Sequence, residues 1–531
     1  MCITIIKGDF SGIQEYIFNV KTKGAAKNLK LRSSEIQELE KKYLKKLKET
    51  LGTDEKTKNE QWNDYQGGGG FFAICESNEI LTGLDSILEK VEKEFKKETK
   101  DLLLRLTYAS EVNYETAWSY LVKENNRKRY QSLDGIDEDD FQRMFYPFQT
   151  FDKIIKTEYI ELKEKYSNYL PKWDSSLLKL IEEFKANNPE KELSENYTKG
   201  GIIEFDALAH FAEERTGSDF LGVLKMDIDN LGTVFKNKIE GVKQFEKINQ
   251  FFNGFFLMDS EKEKSIRNII KNKCFKEKQP DTKNIEDKCD DIEYQYKNNV
   301  YTVFSGGDDC FFIGAWDAIL PFALEIQKTF KDAKKGIQEL NDVSLSAGIS
   351  LVNAKTPVVR ISEITEEYLS NAKKHEDKDG DVVKDAVCIM DEVFSWNNYE
   401  TALKHSETIQ KMLEKEIIKK SFLGKIKRSA KGFNSAQKRI ERGEKLPLEQ
   451  VWRLKYYLRD MKTQDDKSKQ ELVDEMIKDF FTPYENALIE TITSEGKLKT
   501  NPMQFPLAAR ITELKTRKKE NNESEKYAKT I

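Results

Sequence analysis

One segment carries the main signal for the fold: Val303-Phe304-Ser305-Gly306-Gly307-Asp308-Asp309-Cys310-Phe311-Phe312. Apolar and aromatic residues flank a Gly-Gly-Asp-Asp centre, and glycine supplies the backbone angles that a tight hairpin turn needs. The pattern therefore predicts two antiparallel strands, with two neighbouring carboxylates at the tip of the hairpin.

A second apolar stretch, Phe220-Leu221-Gly222-Val223-Leu224-Lys225-Met226-Asp227, predicts a strand that ends on a carboxylate. If this strand lies beside the hairpin, Asp227 meets Asp308 and Asp309. Clustered carboxylates repel one another unless a cation neutralises them, and hard oxygen ligands suit Mg²⁺ or Mn²⁺ with a triphosphate completing the shell. Two such metals activate a ribose hydroxyl and stabilise leaving pyrophosphate. The three aspartates are therefore the predicted catalytic residues and metal ligands.

Simpler readings exist for each of these residues. Gly307-Asp308 also fits a type I′ turn, and Asp227 also fits a helix cap. The metal site is preferred because a turn needs one aspartate, not two backed by a third on an apolar strand. For Asp229 the structural role is preferred. Lys373 and Lys374 end an amphipathic helix, where a phosphate contact and a solvated helix end fit equally well.

The order of these elements occurs twice in the chain. Residues 3–6 predict a strand, Lys7-Gly8-Asp9 a turn, and residues 10–20 a helix; a further helix follows over residues 35–51, with Ser33 or Ser34 as its cap. A glycine hairpin at residues 65–74 comes next. The repeat predicts an α+β fold with two ferredoxin-like palm domains of the nucleotidyl-cyclase type.

The chain divides into four predicted units. The first palm covers residues 1–113, a helical connector 114–218, the second palm 219–396, and a C-terminal helical domain with a flexible tail 397–531. Within the second palm, residues 259–298 are rich in charge and poor in apolar side chains, which predicts an exposed, mobile insertion.

Composition excludes several classes of protein. The 531 residues are 38% hydrophobic and 34% charged, and no apolar run is long enough to span a membrane. Six scattered cysteines without a CxxC pair, and only three histidines, argue against structural zinc and fit the cytoplasm. A net charge of −5 restricts nucleic-acid contact to local faces. The basic segment 411–442 is a candidate for contact with RNA phosphates or with an acidic partner subunit, although an ordinary solvated helix face is slightly favoured there.

Several segments, in this order, resemble one family: Gly8-Asp9-Phe10-Ser11-Gly12-Ile13-Gln14, Lys23-Gly24-Ala25-Ala26-Lys27, residues 221–232, Ser305 to Asp309, Ser346-Ala347-Gly348-Ile349, and Trp452-Arg453-Leu454-Lys455-Tyr456-Tyr457. By these motifs the chain resembles the large, polymerase-like subunit of type III CRISPR effector complexes, on the Csm branch. The resemblance covers most of the chain.

The resemblance implies a function. In that family two palms face each other, bind ATP in the cleft and join it into cyclic oligoadenylate once the guide RNA of the complex pairs with target RNA. It implies partners among the other type III effector subunits, with both RNAs bound through the complex. The implied metal ligands are Asp227, the Ile228 backbone, Asp308 and Asp309. The implied nucleotide-binding residues are Ser305, Gly306, Gly307, Lys373, Gly68, Gly69 and Ser11. Because Gly67 to Gly70 carry no carboxylate, the first palm is expected to bind nucleotide without supplying metal.

The chain also departs from the family pattern. Many members begin with a histidine-aspartate nuclease domain, whereas this sequence starts at the first palm and has no His-Asp dipeptide at His210, His375 or His405. No DNase activity is therefore expected. A free-standing nucleotide cyclase and a non-catalytic scaffold subunit are the alternatives, and the pattern leaves open whether the product is cyclic oligoadenylate or another AMP conjugate.

Overall fold

The structure of the chain is a computed structural model. It describes residues 2–20, 25–55, 57–66, 69–99, 102–131, 170–174, 177, 182, 200–277, 292–376, 381–429, 467–484, 486 and 503–517.

The first palm is built on a four-stranded antiparallel sheet in the order β2-β3-β1-β4. Its strands are β1 Cys2–Ser11, β2 Asn63–Gln66, β3 Gly70–Ser77 and β4 Leu103–Glu111. Its helices are α1 Ile13–Phe18, α2 Ala25–Thr53, α3 Asp85–Glu98 and α4 Tyr114–Gln131. Alternation along β1 sends Ile6 to the side of α2 and α3 and Ile5 to the side of α4.

Strand β1 is longer than predicted. The turn expected at Lys7-Gly8-Asp9 is wrong, because these residues pair with both β3 and β4. Gly8 is needed inside the strand, since a Cβ atom there would lie 2.4 Å from the Phe71 ring. The strand gives way to α1 at Gly12, which has a left-handed φ of 89°. Lys7 and Asp9 are therefore strand residues that share one face of the sheet.

Helix α2 begins earlier than predicted. It starts at Ala25, so Ser33 and Ser34 lie inside it and the expected cap is wrong. Ser34 Oγ donates to the Lys30 carbonyl oxygen at 2.7 Å, which satisfies the buried hydroxyl within the helix.

The second palm has a six-stranded sheet in the order β12-β11-β10-β5-β9-β8. Its strands are β5 Phe220–Asp229, β8 Val300–Gly306, β9 Asp309–Ala315, β10 Ser344–Asn353, β11 Ala386–Ile389 and β12 Glu392–Ser395. Its main helices are α5 Phe205–Thr216, α6 Leu231–Asn237, α7 Val242–Phe256, α8 Ile266–Asn272, α9 Tyr296–Asn299, α10 Trp316–Ala333 and α11 Val358–Ala372. Strand β12 was not predicted; it returns from β11 through Met390 and Asp391, both with positive φ.

Much of the segment predicted to be an exposed insertion is packed. Helix α8 buries Ile266 and Ile269, and a small hairpin of β6 Cys274–Glu277 and β7 Ile292–Gln295 buries Phe275. For these residues the prediction is wrong, because sparse apolar side chains at helical spacing still reach the core. Residues 278–291 lie outside the described part.

The C-terminal part is helical where it is described, with α12 Trp396–Glu414, α13 Lys420–Ser429, α14 Lys467–Met476, a π-helical turn Ile477–Phe481 and α15 Gln504–Lys515. Helix α15 packs on α12 and α13. Trp452 and residues 430–442 lie outside the described residues. Among the residues that are described, every helix is too short or too polar to span a bilayer.

The two palms share an apolar contact. Phe235 of α6 stacks on Trp118 of α4, with ring centroids 5.3 Å apart, and lies beside Phe72 of β3. Phe72 also meets Phe245 of α7. Helices α4 and α5, which sequence assigned to the connector, pack against the first and second sheets respectively.

Candidate functional site

Strand pairing in the second palm brings the three predicted carboxylates to one end of the sheet. Asp227, near the end of β5, lies directly opposite Asp309, the first residue of β9. The Ile228 backbone N–H donates to the Asp308 carbonyl oxygen at 3.0 Å, which fixes the hairpin tip to β5. Gly307 turns the hairpin with a φ of 67°. The sequence thus predicted the juxtaposition correctly.

The carboxylates disfavour one another's charge. Burial and the nearby Asp227 raise the pKa of Asp308 to about 6. Burial, and then the charge of Asp308, raises the pKa of Asp309 well above its ordinary value. Burial also raises the pKa of Asp227, against the opposing effect of Lys373. A cation near these three carboxylates would stabilise their charged forms.

One cation is supplied by the protein. Lys373 Nζ, just beyond the C-terminus of α11, forms an ion pair with the Asp227 carboxylate. The side chains of Lys373 and Asp227 keep 30% and 25% of their exposure, so both are reachable from solvent. Behind them the buried Lys225 of β5 pairs with Glu366 of α11. Two ion pairs therefore join α11 to β5.

The carboxylate oxygens of the three aspartates are ligands that a hard divalent cation prefers, but they are not arranged as a ligand shell. Among the described residues, no three His, Cys, Asp or Glu side chains are positioned to hold a metal ion. Asp227 instead faces Lys373, which compensates its charge. No ion pair to Asp308 or Asp309 is seen within the described residues. The expected metal set of Asp227, the Ile228 backbone, Asp308 and Asp309 therefore stays a prediction.

The residues around the hairpin differ in how they are used. Ser305 is 2% exposed and its hydroxyl donates to the Phe256 carbonyl oxygen at 2.6 Å, so it holds the hairpin against α7. A nucleotide contact by this hydroxyl would break that bond. Gly306 has limited room, since a Cβ atom there would lie 3.3 Å from Leu257. Gly307 is buried in the turn.

Asp229 has the structural role preferred from the sequence, although it is not a helix cap. Its buried carboxylate accepts hydrogen bonds from Ser344 and Ser346 of β10 and from the Asp385 backbone N–H. Asp229 therefore holds β5 to β10 beside the site rather than facing the hairpin carboxylates.

The first palm repeats the geometry of the second. Asp9 lies opposite Gly70 as Asp227 lies opposite Asp309, and the Phe10 N–H donates to the Gly69 carbonyl oxygen at 3.0 Å, as Ile228 does to Asp308. The hairpin itself lacks carboxylates, as predicted, but Asp9 occupies the register position of Asp227. Sequence reasoning missed this residue, although Lys-x-Asp at 7–9 and at 225–227 share one spacing.

The residues of the first palm that were expected to bind nucleotide differ in their surroundings. Ser11 Oγ accepts a hydrogen bond from Arg105 at 2.7 Å, at the register position of Asp229. Gly69 has the positive φ of 78° that a turn demands. Gly68 lies outside the described residues.

Helix α2 lies between the two hairpins. The buried Glu40 accepts a hydrogen bond from the Gly69 backbone, and one turn earlier Gln37 lies near Gly306 of the other hairpin. Burial raises the pKa of Glu40 to about 8. No sequence motif marked this glutamate, because its role comes from the packing of a helix between two loops far apart in the chain.

Comparison with known proteins agrees with this geometry. Residues 220–381 match the second palm domain of Cas10/Cmr2, and residues 2–155 match domain B of the Csm1 subunit. Two separate segments of the chain thus match domains of the Cas10/Csm1 family. The expected fold, with its two palms, is thereby confirmed, and so is the resemblance to the Csm branch.

Two relatives illustrate the match; both are named CRISPR system single-strand-specific deoxyribonuclease Cas10/Csm1 (subtype III-A). The protein of Methanocaldococcus jannaschii is 32% identical over 215 residues, which are 38% of this chain and 24% of the relative. The protein of Streptococcus thermophilus is 22% identical over 546 residues, covering 90% of this chain and 65% of the relative. This chain thus matches less than two thirds of either relative's length.

Solved structures show the same fold. A Csm1–Csm4 cassette in complex with cA4 superposes with a TM-score of 0.55 at 16% identity, covering 97% of this chain and 70% of that chain. Csm1 of T. onnurineus gives a TM-score of 0.52 at 18% identity with the same coverage.

Proposed function

We propose that the chain is a type III CRISPR effector subunit whose second palm converts ATP into cyclic oligoadenylate, or a related AMP-containing messenger, when the complex binds target RNA in the cytoplasm. The observation that carries the proposal is that Asp227 of β5 lies opposite Asp309 of β9, with Asp308 tied to β5 by the Ile228 N–H. The names of relatives support the assignment to a type III CRISPR system, and the cA4 bound in a related Csm1–Csm4 structure supports the proposed chemistry.

The proposed reaction is adenylyl transfer. A ribose hydroxyl oxygen of one nucleotide bonds to the α-phosphorus of another, the bond from that phosphorus to the bridging oxygen breaks, and pyrophosphate leaves with its electron pair. The hydroxyl proton passes to solvent or to a carboxylate. A divalent cation, when bound, stabilises the charge on the pyrophosphate and lowers the pKa of the attacking hydroxyl.

The residues of this chain bind and orient the reactants. Asp227, Asp308 and Asp309 would hold Mg²⁺ or Mn²⁺, and the Ile228 backbone would add an oxygen. Lys373, released from Asp227 as the cation binds, would neutralise a phosphate oxygen. Gly306, Gly307 and Gly69 let nucleotide approach the backbone of both hairpins. These roles follow from position and charge.

Partners belong to the proposal as well. Related Csm1 structures are cassettes with Csm4, and we propose a comparable type III subunit as a partner here, together with guide and target RNA held by the complex. The deoxyribonuclease activity in the relatives' names belongs to those proteins. The absence of DNase activity in this chain stays a prediction.

The test is mass spectrometry of products from the reconstituted complex with ATP, Mg²⁺, guide and target RNA. The wild type is expected to form adenylate oligomers, and Asp308→Ala/Asp309→Ala to lose at least a hundredfold, since two-metal catalysis depends on both carboxylates. Asp342→Ala is the matched control, because this carboxylate belongs to the same palm and is 78% exposed. Equal product from the double variant would refute the assignment.

Two other outcomes would change the proposed function. Strong turnover by the chain alone, without RNA, would favour a free-standing cyclase. Failure of the assembled complex to bind metal and ATP would favour a scaffold subunit.

A further inference from the structure

A cavity of about 360 Å³ opens between α2 and β2, the edge strand of the first sheet. Helix α2 lines it with Lys41, Lys45 and Lys48, and β2 lines it with Asp64 and Gln66. All of its described lining residues belong to the first palm, and the carboxylates of the second palm are not among them. This α2–β2 groove is therefore separate from the hairpin site of the second palm.

The three lysines of the groove form a row along α2. They are spaced four and three residues apart, which places side chains on one face of a helix. With a rise of 1.5 Å per residue, neighbouring lysines lie about 6 and about 4.5 Å apart along the helix axis. Leu44, which also lines the groove, is 1% exposed and packs into the core of the first palm. The row of ammonium groups is therefore carried by a helix that the core holds in place.

The carboxylates of the groove hold these lysines only loosely. Lys45 Nζ lies 3.8 Å from the Glu49 carboxylate, and the two side chains are 80% and 60% exposed. Lys48 Nζ lies 3.3 Å from the Asp64 carboxylate, and these side chains are 38% and 44% exposed. Lys41 is exposed and forms no ion pair within the described residues. Exposed ion pairs contribute little to stability, so a phosphate can replace either carboxylate at small cost.

The combination of groups in the groove indicates the chemistry of its ligand. A row of ammonium groups suits a strand that carries a phosphate on every unit. Asp64 and Gln66 add acceptor oxygens, which suit hydroxyl and base N–H donors, and the ribose 2′-hydroxyl is such a donor. An acidic peptide supplies anions without the ribose hydroxyls, whereas a single RNA strand supplies both.

We propose that the α2–β2 groove binds the backbone of a single RNA strand, with Lys41, Lys45 and Lys48 on successive phosphates and Asp64 on a ribose 2′-hydroxyl. The inference goes beyond the proposed function, which leaves the RNAs to the complex, because it assigns an RNA contact to this chain itself. It requires neither ATP nor metal at the second palm.

Fluorescence anisotropy of a labelled oligouridylate with the full chain, without ATP, tests the proposal between about 50 and about 200 mM salt. Lys41→Gln/Lys45→Gln/Lys48→Gln is expected to weaken binding roughly tenfold at the lower salt concentration. It is also expected to lower the slope of log Kd against log salt concentration by about 2, since each phosphate contact on a single strand contributes about 0.7.

Lys90→Gln/Lys93→Gln/Lys97→Gln is the matched control, because it removes three exposed lysines at similar spacing from α3 of the same palm. It is expected to keep the salt slope of the wild type and an affinity within about twofold. Equal losses in the two triple variants would mean that RNA responds only to net charge, and that result would overturn the proposal.

Oligodeoxyuridylate tests the contact with the 2′-hydroxyl. RNA is expected to bind about threefold more tightly than this DNA, and Asp64→Ala is expected to lose the preference, because the acceptor for the hydroxyl is removed. Equal binding of RNA and DNA by the wild type would overturn the assignment of RNA to the groove. A wild-type chain that binds neither strand would overturn the whole proposal, while ATP turnover by the assembled complex would still support the proposed function.

Discussion

At the scale of single residues, the second palm balances acidic groups against lysines of different accessibility. Lys225 is buried, and its ammonium group is paired with the Glu366 carboxylate. Lys373 is partly exposed and paired with Asp227, so a cation and a phosphate can take the place of that contact. The difference follows from position: Lys225 lies within a central strand, and Lys373 follows the end of a helix.

Replacing Lys373 tests its assignment to the phosphates. Lys373→Gln is expected to lower kcat/KM for ATP in the reconstituted complex by roughly tenfold or more, because a charge-assisted contact is lost. Lys374→Gln changes the same charge at the next residue and is expected to stay within about twofold of wild type. Similar losses in both variants would mean that the site responds only to net charge.

Glu40 provides a test that depends on pH. Its folded pKa of about 8 lies above the ordinary value of 4.5, so the folded chain holds a proton there that the unfolded chain releases. The resulting stability is fully present below about pH 4.5 and is lost as pH rises through 8. Glu40→Gln keeps a neutral acceptor for Gly69 without this titration.

Thermal unfolding from pH 5 to pH 9 measures the effect. The stability of the wild type is expected to fall relative to Glu40→Gln across this range, by an amount on the order of a few kcal/mol. Glu89→Gln, on the exposed side of α3, is the control and is expected to follow the wild type. Parallel curves for wild type and Glu40→Gln would show that Glu40 is charged in the folded state.

At the scale of elements, α11 is the part that presents Lys373 to the site. It lies directly on β10, where Gly348 faces the helix backbone: a Cβ atom there would lie 2.5 Å from both the Thr365 oxygen and the Leu369 nitrogen. Ser350 and Thr365 share a buried hydrogen bond of 2.7 Å. Because the backbone of α11 lies against the backbone of β10, a side chain at position 348 would push the helix away from the strand.

Gly348→Ala tests this close packing of α11 on β10. The extra methyl group is expected to lift α11 and to destabilise the fold by about 1–3 kcal/mol, with a loss of ATP turnover as Lys373 moves. Gly232→Ala is the matched control, because nothing lies within 4 Å of its Cβ position and alanine favours the helix by about 0.5–1 kcal/mol. Denaturant unfolding and turnover are measured on both; wild-type values for Gly348→Ala would contradict the close packing.

At the scale of the whole molecule, the palms are joined by a shared core. One continuous group of buried side chains includes Ile5 of the first sheet, Met226 of the second and Phe505 of the C-terminal part. Phe235 lies at the junction, between Trp118 and Phe245. The two hairpins are therefore held at fixed positions relative to each other by packing as well as by α2.

Phe235→Ala tests this coupling. The cavity is expected to cost about 3–5 kcal/mol and to raise amide hydrogen exchange in β1 and β4 of the first palm as well as in β5 of the second. Tyr120→Ala removes a ring that is 53% exposed and is expected to change exchange only locally. Exchange confined to the second palm in Phe235→Ala would show that the palms unfold separately.

The local patterns of strand and hairpin could be predicted from the order of the residues alone. An apolar run that ends on a carboxylate predicts a strand, and a Gly-Gly-Asp-Asp centre between two apolar runs predicts a hairpin, so the strand before Asp227 and the tip with Asp308 and Asp309 were predictable. Their adjacency in the sheet was a condition of the prediction, and the pairing of β5 with β9 meets that condition. Local patterns could not show that β1 continues through Lys7-Gly8-Asp9. A glycine at this place is typical of a turn, and only the tertiary structure shows that the Phe71 ring packs directly against it.

Which charged side chains form pairs depends on how the elements pack in space. The contacts of Lys373 with Asp227, of Lys225 with Glu366 and of Glu40 with Gly69 join residues that lie 29 to 146 positions apart. No spacing rule reaches across such distances, because these contacts depend on how helices and sheets pack. Side-chain charge in a buried site is set by its neighbours in space, and those neighbours are fixed only when the chain has folded.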